Sequence, residues 1–78
     1  MLSVTEEGQH TSEELWHKPR KDEKEMAFLA AVDIIDEYPV SDAYALANQL
    51  PFVHGIEAKT RIVRQWMEEG LITQGQRF

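Results

Sequence analysis

The chain has 78 residues, with 8 Lys and Arg against 14 Asp and Glu, which gives a formal charge of −6 when the histidines are neutral. This length suits one small domain and argues against a large enzyme core with a deep cleft. Because cysteine is absent, a disulfide framework and a cysteine-based zinc site are excluded. The longest strictly apolar run, 26–32, is far shorter than the roughly 20 residues that a membrane span requires. We therefore expect a cytoplasmic protein with no secretion leader and no membrane partner.

Charge is distributed unevenly along the chain. Residues 1–25 sum to −3, residues 26–50 to −4 and residues 51–78 to +1. Only the last third can therefore approach a polyanion without immediate repulsion. The acidic total argues against strong sequence-independent binding to nucleic acid, because that binding depends on Lys and Arg neutralising phosphates.

Residues 1–21 are predicted to form a flexible N-terminal arm. Between positions 3 and 24 the only sizeable apolar side chains are Val4, Leu15 and Trp16, too few to offset an ordering cost of roughly 1–2 kcal/mol per residue. Thr11 and Glu14 have the spacing of a capping box, which predicts one nascent helical turn. Trp16 either anchors a partner or a second copy, or it packs loosely on its own domain.

The segment 22–38 predicts the first helix of the domain, which ends before Pro39. Two adjacent apolar stripes cover roughly half of its circumference. Their members are Ala27, Ala31, Ile34, Tyr38, Phe28, Val32 and Ile35. A stripe this wide indicates either that the helix is central in the fold or that another subunit covers part of it.

Two further helices and a short tail complete the predicted domain. A helix over about 42–50 has Ser41 as its N-cap and buries Ala43, Leu46, Ala47 and Leu50. A helix over about 56–69 is capped by Gly70 and turns inward Ile56, Ile62, Val63, Trp66 and Met67. The tail 71–78 has apolar residues near both ends with Gln-Gly between them, which indicates a stub β-hairpin.

The segments 41–47 and 60–72 resemble the winged helix-turn-helix family. The most specific part of the likeness is the end of the third helix, Met67-Glu68-Glu69-Gly70-Leu71-Ile72. The resemblance covers about residues 24–78. It implies a mainly α domain over 22–78, a three-helix bundle with a minimal C-terminal β-hairpin as its wing. It also implies a DNA-binding protein of the transcription-regulator type, with the third helix in the major groove.

The predicted outward face of the third helix carries side chains that suit a major groove. Arginine pairs with guanine, glutamine pairs with adenine, and short hydroxyls reach phosphates. We expect contacts to double-stranded DNA from Thr60, Arg61, Arg64 and Gln65, with Lys59 nearer a backbone phosphate and Arg77 on the wing.

The same face permits a second interpretation. Glu57 and Arg61 are four residues apart, as are Arg64 and Glu68, and this is the spacing of surface ion pairs that require no ligand. The alternative function is a small acidic protein–protein interaction module without DNA binding. Since one copy offers only about four candidate phosphate contacts, DNA binding predicts a homodimer, joined through the broad apolar stripe of the first helix or through Trp16.

Nothing in the sequence predicts an enzyme. His10 and His17 lie in the predicted arm, and His54 precedes the third helix, where a capping or turn role is expected. No His-x-x-x-His spacing and no glycine-rich phosphate loop occurs. We therefore expect no catalytic residues, no metal and no cofactor.

Overall fold

A computed structural model of the chain describes residues 1–74. Its elements are β1 (Leu2–Val4), α1 (Glu6–Trp16), α2 (Glu23–Glu37), α3 (Ala43–Gln49), α4 (Ile56–Glu68) and β2 (Ile72–Gln74). Within residues 1–74 the protein is mainly helical, with four helices in place of the three predicted. None of the helices within residues 1–74 is long and apolar enough to cross a membrane.

Helix α2 lies at the centre of the fold, and its bounds agree with the predicted segment. Asp22 is its N-cap and forms a capping box with Glu25. The Asp22 carboxylate accepts from the Glu25 backbone N–H at 2.8 Å, and the Glu25 carboxylate accepts from the Asp22 backbone N–H at 2.9 Å. The side chains of α2 that are fully buried are Ala27, Phe28, Ala31 and Val32. Helices α1 and α3 and strand β1 all pack on α2. The wide apolar stripe is therefore covered largely by other elements of the same chain.

Tyr38 is the exception on that stripe. The backbone is extended at this residue, so α2 ends before Pro39. The tyrosine remains 56% exposed. The predicted inward orientation of Tyr38 is therefore wrong, because the helix that would have directed its ring toward the core ends at Glu37.

Helices α3 and α4 pack against each other and supply much of the core. The N-cap of α3 is Asp42, one residue after the predicted Ser41, and its carboxylate accepts from the Ala45 N–H at 2.9 Å. The side chains predicted to be buried here are buried, namely Ala43, Leu46, Ala47 and Leu50. On α4 the ring of Trp66 meets that of Phe28 edge to face, with centroids 5.2 Å apart.

Helix α4 ends in a Schellman turn, as the glycine after it predicts. Gly70 has a φ of +81°. The N–H of Leu71 donates to the Trp66 carbonyl at 3.0 Å, and that of Gly70 donates to the Met67 carbonyl at 3.2 Å. This turn directs the chain back across the domain, so that Ile72 in β2 is 1% exposed.

Strand β2 pairs with the N-terminal strand β1. The two strands are antiparallel, with Leu2 opposite Gln74 and Val4 opposite Ile72. The N–H of Leu2 also donates to the carbonyl of Val40 at 2.8 Å, and Leu2 is 4% exposed. The first half of the predicted hairpin thus contacts the opposite end of the chain, and its second half, 75–78, lies outside the described residues.

Helix α1 replaces the predicted flexible arm. Its N-cap is Thr5, whose hydroxyl accepts from the Gly8 N–H at 3.0 Å, so the helix begins well before the capping box expected at Thr11. Gly8 and Ser12 are buried and Leu15 is half-buried. These residues are spaced four and three apart and form one face of the helix. Most of that face consists of small side chains. A count of sizeable apolar residues in the arm therefore could not reveal that this helix has a buried face.

Candidate functional site

Burial of one side of α4 determines which side chains face solvent. Ile62, Val63 and Trp66 are 8%, 0% and 7% exposed. Their neighbours along the helix, Arg61, Arg64 and Gln65, are exposed. The sequence-based prediction for this helix is therefore confirmed in its main point, since both arginines are directed to water. Ile56 departs from it, because it is 38% exposed at the first position of α4.

Four of the six predicted DNA-contacting residues share one shallow depression of about 920 Å³ on the outer side of α4, here called the α4 depression. Its lining comprises Tyr44, Ile56, Glu57, Thr60, Arg61, Arg64, Gln65, Glu68 and Glu69. Lys59 is half-buried and does not line it. Arg77 lies outside the described residues. The structure thus brings Thr60, Arg61, Arg64 and Gln65 together and leaves Lys59 to one side.

The charges of the α4 depression nearly balance. Two arginines and three glutamates line it, which leaves a formal charge of −1. The predicted ion pairs of Arg61 with Glu57 and of Arg64 with Glu68 are not formed: among residues 1–74, salt bridges within 4.0 Å join only His10 to Glu14 and Lys18 to Glu25. Both guanidinium groups therefore keep their donors available for an external acceptor.

Two side chains of the depression are held by hydrogen bonds. The Thr60 hydroxyl donates to the Ile56 carbonyl at 2.7 Å, one turn earlier in the helix. Thr60 can therefore accept from a ligand, but it must release this bond before it donates to a phosphate. The Gln65 amide donates through Nε2 to the Glu69 carboxylate at 3.1 Å. One Nε2 hydrogen and the carbonyl oxygen of Gln65 remain available for a base edge.

Two apolar side chains that the sequence analysis did not assign to the site also line the depression. Tyr44 in the first turn of α3 is 60% exposed, and Ile56 opens α4 beside it in the lining. On the helical wheel Tyr44 lies about 100° from Ala43, outside the arc that contains the buried Ala43, Leu46 and Ala47, so the wheel of α3 could have identified it as outward-facing. Ile56 offered no such signal, since its position in the predicted stripe points inward.

A short loop joins α3 to α4. It contains two residues with left-handed backbone, Phe52 with a φ of +80° and Gly55 with a φ of +90°. For a residue other than glycine this conformation costs on the order of 1–3 kcal/mol, and it persists where the surrounding structure imposes it. Gly55 is the N-cap of α4 and no side chain caps the helix there. Of the two roles expected for His54, capping or a turn, the capping role is therefore not observed.

Histidines and carboxylates do not converge on a metal site within the described part of the chain. Among residues 1–74, no group of three or more His, Asp and Glu side chains is close enough to hold a metal ion. His10 instead lies 3.3 Å from Glu14 on the exposed side of α1. His17 and His54 are exposed.

Comparison of the chain with protein-family models, with curated proteins and with solved structures finds no match. The assignment of a function therefore depends on the α4 depression and on the physical chemistry of its side chains.

Proposed function

We propose that this protein binds double-stranded DNA through the outward face of α4, as a small regulator of transcription. The observation that carries the proposal is the pair Arg61 and Arg64, which are exposed on one side of α4, free of ion pairs within residues 1–74, and adjacent to Gln65. Arginine can pair with guanine O6 and N7, and glutamine with adenine N6 and N7, so this face carries two of the commonest base-reading groups.

The packing of α3 on α4 supports this use of the helix. An α-helix of 13 residues is about 20 Å long, and a helix of ordinary diameter enters a major groove about 12 Å wide. Helix α3 packs against α4, with Leu46 and Ala47 fully buried, while its exposed Tyr44 lies beside the arginines in the α4 depression. In a helix-turn-helix arrangement, the first helix of such a pair crosses the DNA backbone while the second lies in the groove.

The carboxylates of the face define the kind of binding to expect. Glu57, Glu68 and Glu69 would lie near phosphates in non-specific complexes and would weaken them. Binding therefore depends on base contacts and on a second copy that doubles the number of arginines. Since the stripe of α2 is covered within the chain, Trp16, which is 62% exposed at the end of α1, is the better candidate for a homodimer contact.

Fluorescence anisotropy with a labelled random duplex at low salt tests the proposal. We expect saturable binding that weakens as salt rises, because phosphate contacts release counterions. The double variant Arg61→Ala/Arg64→Ala should lose binding by at least tenfold. The matched control is Arg20→Ala/Lys24→Ala, which removes the same charge from exposed positions outside α4 and should retain most of the affinity. Equal losses in both variants, or no binding to the duplex at low salt, would contradict DNA contact by the arginines of α4.

A second candidate function is a protein–protein interaction module that uses the same surface. The observation that favours it is the presence of Tyr44 and Ile56 in a depression whose formal charge is −1. Tyrosine and arginine are enriched in the residues that dominate protein interfaces, whereas a net negative surface repels DNA. In this case a Tyr44→Ala variant would lose a protein partner, while the wild-type protein would not bind a duplex at any salt concentration.

A further inference from the structure

The α4 depression has an apolar corner where α3 meets the start of α4. Ile56, at the first position of α4, is 38% exposed, and Tyr44, in the first turn of α3, is 60% exposed. Both side chains line the depression, together with Thr60, one turn after Ile56. These three residues are here called the apolar corner. Because two large apolar side chains are exposed in one concave surface, the corner offers contact area to an apolar group.

Thr60 can contribute to the apolar corner through its methyl group. Its hydroxyl donates to the Ile56 carbonyl at 2.7 Å, within the helix. The hydroxyl proton is therefore not available to a base, whereas the methyl group needs no hydrogen-bond partner. A threonine methyl group is one of the apolar groups that contact the C5 methyl of thymine in a major groove.

The first turn of α4 differs in charge from the rest of the depression. In the lining it contributes Ile56 and Glu57 and no cation, whereas Arg61 and Arg64 lie more than one and two turns after Ile56. A guanine edge presents acceptors, which a carboxylate does not favour, whereas a thymine–adenine pair presents the C5 methyl of thymine and the N6 amino donor of adenine. This pair suits an isoleucine and a glutamate that are adjacent.

We propose that the apolar corner reads a thymine, with Ile56 packed against the C5 methyl group of the base. The inference rests on the proposed DNA binding and deepens it, because it assigns a base to the start of α4. Ile56 and Arg64 are eight residues apart, which is about 12 Å along a helix. Because base pairs are about 3.4 Å apart, this distance corresponds to three or four base-pair steps. The thymine therefore belongs to the same half-site as the base that Arg64 contacts.

Uracil differs from thymine only in lacking the C5 methyl group, so replacement of thymine by uracil isolates this contact. Duplexes that the wild-type protein selects from a random library at low salt are the ligands, and their thymines are replaced one at a time. Fluorescence anisotropy measures each affinity. We expect at least one thymine in each half-site at which uracil weakens binding about fourfold, the effect of one buried methyl group.

The variant Ile56→Ala links the uracil effect to the apolar corner. Because Ile56 is exposed, we expect the fold to be retained, as circular dichroism can show. The variant should reduce the effect of uracil at that position to under about twofold, the range found for groups that do not interact. The matched control is Tyr38→Ala, which removes a side chain that is 56% exposed and lies outside the lining of the depression. It should leave the fourfold effect unchanged.

The outcomes separate this inference from the proposed function. If no duplex binds at low salt, DNA binding and thymine reading are both contradicted. Binding that requires Arg61 and Arg64 but tolerates uracil at every thymine overturns thymine reading alone. An effect of uracil that is the same in wild type and Ile56→Ala, or that Tyr38→Ala removes equally, overturns it as well.

Discussion

Gly8 lies against the backbone of Leu71 so closely that a Cβ on Gly8 would be 2.1 Å from the Leu71 carbonyl oxygen. The same Cβ would be 2.8 Å from a methyl group of Val4. Real Cβ atoms do not approach other heavy atoms to such distances, so only glycine permits α1 to lie at this separation from the turn after α4. This contact joins the first helix of the chain to the end of the helix that carries the candidate site.

Gly8→Ala should destabilise the protein although alanine is the better helix former. The added methyl group meets backbone and therefore forces α1 away. Because backbone cannot move aside cheaply, we expect a cost of at least about 3 kcal/mol, the upper end of the usual range for overpacking, which outweighs the roughly 1 kcal/mol gained in helix propensity. Urea unfolding followed by circular dichroism measures the difference. The control is Gln9→Ala at the exposed neighbouring position, which should change stability by less than about 0.5 kcal/mol. An increase in stability for Gly8→Ala would contradict the packing of α1.

Thr5 makes a second link between the same two regions. Its N–H donates to the Leu71 carbonyl at 3.0 Å, and its hydroxyl lies 2.5 Å from the Gly70 carbonyl and 3.0 Å from that of Leu71. The same oxygen caps α1 by accepting from the Gly8 N–H. One side chain therefore satisfies backbone groups at the start of α1 and at the end of α4.

Replacement of Thr5 by valine removes the hydroxyl and keeps the shape. We expect a loss of about 1–2 kcal/mol in the free energy of unfolding, because an N-cap and a long-range hydrogen bond disappear together. This corresponds to a fall in Tm of roughly 4–15 °C for a domain of this size. Thr5→Ser keeps the oxygen and should remain within about 0.5 kcal/mol of wild type. If valine and serine behave alike in a thermal melt, the hydroxyl does not have this role.

The ion pair of Lys18 with Glu25 predicts a pH dependence of stability. The hydrogen bond from Lys18, aided by the Asp22 N–H, lowers the pKa of the Glu25 carboxyl below its ordinary value. A carboxyl whose pKa is lower in the folded state stabilises the protein above its unfolded pKa of about 4.3, and this contribution is lost as pH falls through the folded value. The pKa of Lys18 is raised by the same hydrogen bond, so its contribution is lost at strongly alkaline pH.

Glu25→Gln isolates the charge, because glutamine at this position can still complete the capping box with Asp22. Urea midpoints of wild type and variant should differ at pH 7 and converge below about pH 4. The comparison requires only unfolding curves at several pH values. A difference that stays constant from pH 7 to pH 3 would show that the carboxylate charge does not contribute.

The three helices of the C-terminal two thirds could be predicted because their signals are local. The Asp22 cap, the two prolines after α2 and α3, and Gly70 set the bounds of these helices to within one or two residues. The outward direction of Arg61 and Arg64 followed from the 3.6-residue periodicity of the buried residues between them. Such patterns need no knowledge of the rest of the chain.

The N-terminal elements could not be predicted in this way because they depend on distant partners. Strand β1 has only three residues, and it is ordered by pairing with β2 at the other end of the chain. Helix α1 is held by the close approach of Gly8 to Leu71, which leaves no apolar pattern in the sequence. Two features of the site could not be predicted from periodicity either. Arg61 and Arg64 form no ion pairs within residues 1–74, which depends on side-chain geometry. Ile56 is exposed, which depends on where α4 begins.

The most direct test of the proposed function is an amide and side-chain NMR titration of the protein with a short duplex at low salt. We predict the largest shifts in the guanidinium signals of Arg61 and Arg64 and the amide signal of Gln65, with little change along the acidic exposed side of α2 around Asp33 and Asp36. Shifts centred on α2 or α1, or an unchanged spectrum at saturating duplex, would contradict DNA binding by α4.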